Sequence, residues 1–344
     1  MSEVEAFLDD TPGETRGVIV RDGRFEHLLI QRDGDPPQAR LGARSVGRVT
    51  EVEAGFKAAF VDLGAGGPAG FLPLGKGATV REGDRIEVEV TAEPRERKGP
   101  TLRKRGPGAG EPRLLQAGPG VRALLAALAP GVTAQTGVAA IQASWDAEEE
   151  ALAEGHLFAA AALDLAVQRT RALIAVDIDY AHLPGRDARK GRAQVNREGL
   201  RQAARLIRLK SWGGLVTVDL VGTGLDADGI TQAARAAFAG ESDVVFGPLS
   251  RFGLLQLSLP WRRTPIEDGL TGRDGGRRLQ TQAIDLARRL RHAMLSDTTV
   301  ARFTARCVPD EAEAAGALVA RLGPRAAILA DPSVAPGRSV IEEG

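Results

Sequence analysis

The sequence predicts a multidomain α/β protein, and three observations carry that prediction. A run of short strands punctuated by glycine occupies the N-terminal third, an apolar strand, helix and strand follow in the middle, and a smaller alternation of helices and strands closes the chain.

Taken in order, residues Gly17 to Gln31 form two β-prone runs about Asp22-Gly23. That dipeptide accepts positive φ at both central positions of a tight turn, so a β-hairpin opens the chain. Asp33-Gly-Asp-Pro-Pro punctuates, and from Gly42 short strands are expected at Ser45 to Val52, Lys57 to Leu63, Gly70 to Pro73, Arg85 to Thr91 and Thr101 to Lys104. Such strands with glycine-rich turns predict a small barrel of the OB type. Beyond Gly106-Pro-Gly-Ala-Gly the chain turns alanine- and leucine-rich, and buried strands are expected at Ala172 to Ile178 and Leu215 to Val221. The helix between them has Asn196 as its expected cap, Leu200, Ala203, Ala204 and Ile207 at helical spacing, and Gly213-Gly214 as its close. After the linker Gly272-Arg-Asp-Gly-Gly, the tail predicts helices at Leu279 to Met294 and Glu311 to Leu322, with strands at Phe303 to Val308, Ala326 to Leu329 and Ser339 to Ile341. No internal repeat or low-complexity tract interrupts this order.

A length of 344 residues suffices for two or three units, and 43% hydrophobic with 26% charged residues is ordinary globular composition. Aromatics are scarce at 4%, which makes each one on a surface informative. The formal net charge is zero, so any surface for a polyanion must arise by segregation of charge. Cys307 is the single cysteine, which excludes an internal disulfide and a cysteine-rich zinc knuckle. The four histidines lack the spacing of a helical zinc site. With no apolar run of signal-peptide or bilayer length, the expectation is a soluble cytoplasmic protein that does not engage a membrane.

The chemistry-bearing pattern lies in the middle. The run Leu173-Ile-Ala-Val-Asp-Ile-Asp ends in Asp177 and Asp179, and Leu215-Val-Thr-Val-Asp ends in Asp219. If the two strands are neighbours, their carboxylates converge, and converging carboxylates need a cation or a raised pKa to offset repulsion. Mg²⁺, or Mn²⁺ in its place, suits such an all-oxygen set and can activate water against a phosphodiester. Acids at strand ends also serve simply to cap the next turn, and spacing alone leaves both readings open. Residues 180–215 hold nine basic side chains against Asp187 and Glu198. Arg189, Lys190 and Arg192 among them are candidate phosphate contacts. Arg197, Arg201, Arg205 and Arg208 share one helical face, which reads either as an unpaired basic stripe for a polyanion or as a solvated surface. In the barrel, Phe60 and Phe71, with Lys57 beside the first, are candidate base-stacking residues or core. Thirteen basic residues against nine acids over 36–106 supply a modest positive excess.

Together these segments resemble the ribonuclease E/G family. Ser45-Val-Gly-Arg-Val-Thr-Glu-Val-Glu, Lys57-Ala-Ala-Phe-Val-Asp-Leu-Gly and Gly70-Phe-Leu-Pro-Leu are similar to its inserted RNA-binding domain. Ala175-Val-Asp-Ile-Asp, Ile207-Arg-Leu-Lys-Ser-Trp-Gly-Gly-Leu-Val-Thr-Val-Asp and Leu249-Ser-Arg-Phe-Gly-Leu-Leu-Gln-Leu-Ser resemble landmarks of its catalytic domain, in the same order and spacing. The tail ending Ala330-Asp-Pro-Ser-Val-Ala-Pro-Gly-Arg resembles its small C-terminal domain. The resemblance implies an RNase H-like scaffold in reduced form over 1–35 and 107–155, an OB-fold barrel over 36–106, a DNase I-like catalytic domain over 156–265, and a linker with a small α/β domain over 266–344. It implies an endoribonuclease that hydrolyses single-stranded RNA, with Asp177 and Asp219 holding Mg²⁺ and Asp179 ordering water or metal. Phe60, Phe71 and Lys98 would contact RNA in the barrel, and Arg251 would lie near the active centre.

Four departures bear on that expectation. Asp179 stands where the family usually has Asn. Val221-Gly-Thr-Gly replaces an acidic, methionine-containing continuation after Asp219. The stretch between barrel and Asp177 is far shorter than in the long enzymes of the family, so a preference for a 5′ monophosphate end is not expected. The Cys-x-x-Cys zinc link is absent, so a zinc-bridged tetramer is not expected, although a homodimer is compatible. The rival expectations are an RNA-binding relative without catalysis and a barrel that contacts proteins.

Overall fold

The computed structural model describes residues 3–75, 79–96, 98–181, 191–272 and 274–344. The chain divides into two units, one of residues 1–148 with 264–344 and one of residues 149–263. The architecture is mixed α/β with several sheets.

In the first unit, β1 (Val4–Thr11), β2 (Glu14–Arg21) and β3 (Arg24–Arg32) form an antiparallel meander. The expected hairpin is β2 and β3, turning at Asp22 (φ 50°) and Gly23 (φ 71°) with Arg21 opposite Arg24. Both turn residues are left-handed, which matches the strand twist. The additional strand β1 is not legible as an apolar alternation because Asp9 occupies an inward position. Its carboxylate is buried and paired with Arg288 (2.6 Å) and Arg291 (2.7 Å), so a charge that looks solvent-bound in sequence is a core residue here.

Next come β4 (Arg44–Glu53), β5 (Ala58–Asp62), β6 (Gly70–Pro73), β7 (Arg85–Ala92), β8 (Thr101–Pro107) and β9 (Arg113–Gln116). Their sheet runs β5-β6-β8-β7-β4-β9, and a further β5–β4 pairing closes five of the strands into a ring. Val49, Val61, Leu72, Val88, Val90 and Leu102 fill its interior. The alternating pattern of β7, where Ile86, Val88, Val90 and Ala92 are buried between half-exposed residues, is the period-two signature of a one-sided strand. The helix α1 (Val121–Leu128) then covers the meander, with Val121 and Leu125 packed on Ile19 and Leu29. Its approach depends on Gly17, where a Cβ would lie 2.6 Å from Val121 Cγ1. The helix α2 (Val138–Leu152) follows.

The second unit holds β10 (Gly155–Phe158), β11 (Leu163–Arg169), β12 (Ile174–Tyr180), α3 (Arg192–Leu209), β13 (Gly214–Asp219), α4 (Ala227–Ala237), β14 (Val245–Phe246) and β15 (Leu254–Leu259). The sheet order is β10-β11-β12-β13-β15-β14, with β12 and β13 parallel and central. Leu165, Val176, Ile178, Val216 and Val218 on its covered face, together with Leu200, Ala203 and Ile207 of α3, are buried. Each strand therefore exposes its alternate residues on the opposite face.

The chain returns to the first unit through α5 (Ile266–Leu270), α6 (Leu279–Ser296), β16 (Phe303–Cys307), α7 (Pro309–Ala320), β17 (Ala326–Ala330) and β18 (Val340–Glu343). The sheet β17-β16-β18 packs on α6 and α7 around Leu286, Leu290, Phe303 and Val319. The elements expected for the tail are all present, with shifts of a few residues at their ends. Among the described residues no helix is long and apolar enough to cross a membrane.

Candidate functional site

The two acid-bearing strands are direct neighbours. Asp177 of β12 stands opposite Asp219 of β13 in the parallel register, so their backbones are about 4.8 Å apart. Burial of Val176, Ile178 and Val218 beneath the sheet forces Asp177, Asp179 and Asp219 onto its uncovered face. A fourth acid, Asp164 of β11, lies opposite Asp179 and shares that face. Asp164 escapes a reading of strand-end acids because it sits early in its strand; the alternation Leu163-Asp-Leu-Ala-Val-Gln is the signal that identifies it. Asp179 accepts a hydrogen bond at 2.7 Å from the Tyr180 backbone N–H.

Burial raises the Asp177 pKa above its ordinary value, and repulsion from Asp219, then Asp179 and Asp164, adds to the rise. A divalent cation between the carboxylates would offset that repulsion, and the all-oxygen donor set suits a hard ion. Among the described residues no group of three or more His, Cys, Asp or Glu side chains is placed so that it could hold a metal ion. Two carboxylates with retained waters are nonetheless a normal protein contribution to Mg²⁺ binding.

The strand on the other side of Asp219 begins at Leu254, its register partner. The Ser250 hydroxyl accepts from the N–H groups of Phe252 (3.3 Å) and Leu254 (3.1 Å), and Gly253 takes φ 82°, so a tight turn delivers β15. Arg251 projects from this turn with its guanidinium 4.9 Å from the centre of the exposed Phe252 ring. Arg189 and Lys190 lie outside the described residues. Arg192, in the first turn of α3, donates to the Thr223 carbonyl at 3.3 Å.

One expectation about α3 is corrected. Asn196 does not cap the helix, which starts at Arg192 with Gly191 as its cap. Asn196 is instead 1% exposed and bonded through its side chain to the Val221 backbone, a partner that local sequence cannot reveal. Of the basic face of α3, for which a stripe for a polyanion and a solvated surface were both open, three of the four arginines have partners among the described residues. Arg201 pairs with Glu198 (2.6 Å), Arg205 with Glu150 (2.6 Å) and Arg208 with Glu241 (2.7 Å), and Arg205 is buried. Glu150 and Glu241 come from distant positions, so the charges of Arg205 and Arg208 are met by acids that lie outside the basic segment.

In the barrel, Phe60 and Phe71 are register partners on β5 and β6, half-buried and edge-to-face with centroids 6.0 Å apart. Lys57 enters β5 with φ 48°, and Lys98 lies 3.8 Å from Glu96. Phe56, which the sequence reading passes over, is 77% exposed in the same β4-to-β5 turn.

Residues 147–260 match the model of the ribonuclease E/G family. This match supports assignment to the ribonuclease E/G family. The matched segment contains all four acids of the uncovered sheet face, α3 and the Arg251 turn. No curated protein matches the chain.

Proposed function

We propose that the chain is an endoribonuclease that hydrolyses phosphodiesters of single-stranded RNA with a divalent cation, in RNA processing or decay. The observation that carries this reading is the in-register pairing of Asp177 with Asp219 inside the ribonuclease E/G segment. Family membership implies RNA as substrate.

In this reading the Asp177 and Asp219 carboxylates hold Mg²⁺ or Mn²⁺, and Asp179 orders water beside them. The cation would supply Lewis acidity toward a phosphate oxygen and toward water. Water adds to phosphorus, the bond from phosphorus to the 3′ oxygen breaks, and that oxygen takes up a proton, leaving a 5′ phosphate and a 3′ hydroxyl. Arg251 and Arg192, with Arg189 and Lys190, neutralise backbone phosphates. The barrel acts as an OB-fold clamp in which Phe60 and Phe71 stack on unpaired bases, aided by Lys57 and Lys98. The RNase H-like, DNase I-like and small C-terminal domains keep the boundaries given above, and the protein works in the cytoplasm.

The test is cleavage of a 5′-labelled A/U-rich single-stranded RNA with Mg²⁺ or EDTA, comparing the wild type with Asp177→Asn and Asp219→Asn. Cleavage by the wild type in Mg²⁺ alone, with both variants binding but not cutting, supports the proposal. Binding without cleavage in every sample overturns it in favour of an RNA-binding relative without catalysis.

A further inference from the structure

The chain leaves β13 immediately after Asp219, and beyond that point Val221 has no strand beside it. Its two backbone groups are satisfied by one side chain. Asn196 donates from Nδ2 to the Val221 carbonyl at 3.2 Å, and Val221 N–H donates to Asn196 Oδ1 at 2.9 Å. The amide of Asn196 thus takes the place that a neighbouring strand would hold, two residues past Asp219. Arg192, four residues earlier on the same helix face, donates to the Thr223 carbonyl. Between these points Gly222 has φ 95° and the Arg192 side chain lies where its Cβ would be, 2.5 Å from Arg192 Cδ.

The same helix is also seated on the partner strand. Gly199 lies against Ile178, the residue between Asp177 and Asp179, and a Cβ on Gly199 would meet Ile178 Cγ2 at 2.6 Å. Within one turn, α3 therefore touches the strand that bears Asp177 and grips the exit of the strand that bears Asp219.

We infer that Asn196 is a positioning residue that fixes the Asp219 carboxylate relative to Asp177 by holding the chain at Val221. The inference rests on the metal-dependent reading of those two acids. The chemistry selects Asn: the Val221 carbonyl needs a donor and the Val221 N–H an acceptor, and at this burial an Asp would face the carbonyl with a desolvated negative charge. Partners behind metal ligands commonly alter metal affinity or activity about 10- to 100-fold when removed.

The experiment measures Mn²⁺ binding by calorimetry, alongside cleavage as a function of Mg²⁺ and RNA binding in EDTA. It compares the wild type, Asn196→Ala, Asn196→Asp and Asp219→Asn, each checked by thermal unfolding. The expected result is a Mn²⁺ dissociation constant and a Mg²⁺ midpoint raised about 10- to 100-fold in both Asn196 variants, with RNA binding in EDTA retained. If those variants do not fold, Gly222→Ala strains the same turn without opening the core and is expected to shift both quantities in the same direction. Wild-type metal affinity in a folded Asn196 variant, or in Gly222→Ala where that variant stands in, overturns the inference. Loss of metal binding in Asp219→Asn alongside that result leaves the two-aspartate reading intact, whereas undiminished metal binding in Asp219→Asn overturns both.

Discussion

Replacing Glu14 by Gln removes one charge from a buried ionic network, and the structure sets the size of the effect. Glu14 is fully buried and its carboxylate accepts from Arg16 Nε (2.6 Å), Arg32 Nε (2.8 Å) and Arg288 Nη2 (2.8 Å). Burial pushes its pKa upward, but Arg16, Arg288 and Arg32 together outweigh that and hold it far below the ordinary carboxylate value of 4.5. Removing one member of a buried pair costs roughly 3–5 kcal/mol, since the remaining charge is stranded. Here the stranded arginines keep other partners: Arg16 has Glu148 at 2.7 Å, Arg288 has Asp9 at 2.6 Å, and Arg32 bonds Thr281 at 2.8 Å. The lower end, about 3 kcal/mol, is therefore expected. For a unit of this size that corresponds to a fall in Tm of about 6–12 °C. A depressed native pKa means that the unfolded chain binds more protons, so the contribution of Glu14 is complete above about pH 4.5 and is withdrawn as pH falls through the native value. Scanning calorimetry at neutral pH and across the acid range checks both points, the acid dependence being shallower in the variant. A variant that melts within about 1 °C of the wild type at neutral pH, or one with the same acid dependence, would refute the reasoning.

Phe60→Ala is expected to weaken single-stranded RNA binding about 5- to 150-fold, the usual range for one lost stacking interaction, while leaving the weaker binding of a duplex nearly unchanged; fluorescence anisotropy with both probes decides. Arg205→Met removes the buried partner of Glu150, which itself reaches solvent, so a loss of about 2 kcal/mol is expected in urea unfolding. The salt dependence of RNA binding in that variant is expected to match the wild type, because Arg205 is inward and occupied. Gly17→Val drives a side chain into Val121 and Leu125 of α1, and overpacking of this kind costs about 1–3 kcal/mol, read as a lower urea midpoint.

Much of the architecture is local and can be read residue by residue. Asp22-Gly23 specifies its hairpin because both residues accept positive φ. The barrel strands carry a period-two apolar pattern, and the short tail repeats helix and strand patterns that survive intact in the fold. The candidate site is legible for the same reason: an apolar run that switches to acids at its end marks a buried strand reaching an open face, and two such runs flank one helix.

What sequence did not reveal is which distant groups meet. Asp9 hides β1 because its arginine partners lie some 280 residues away. Arg205 and Arg208 of α3 are open to a polyanion reading until Glu150 and Glu241 are brought beside them, and Asn196 reads as a cap until the fold carries Val221 to its side chain. Backbone preference and apolar periodicity are properties of a few consecutive residues, so the chain alone determined its hairpin, most of the barrel strands and the two strands that bear Asp177 and Asp219. The pairing of charges and the satisfaction of buried amides depend on how the chain returns on itself, and those were decided only when it folded.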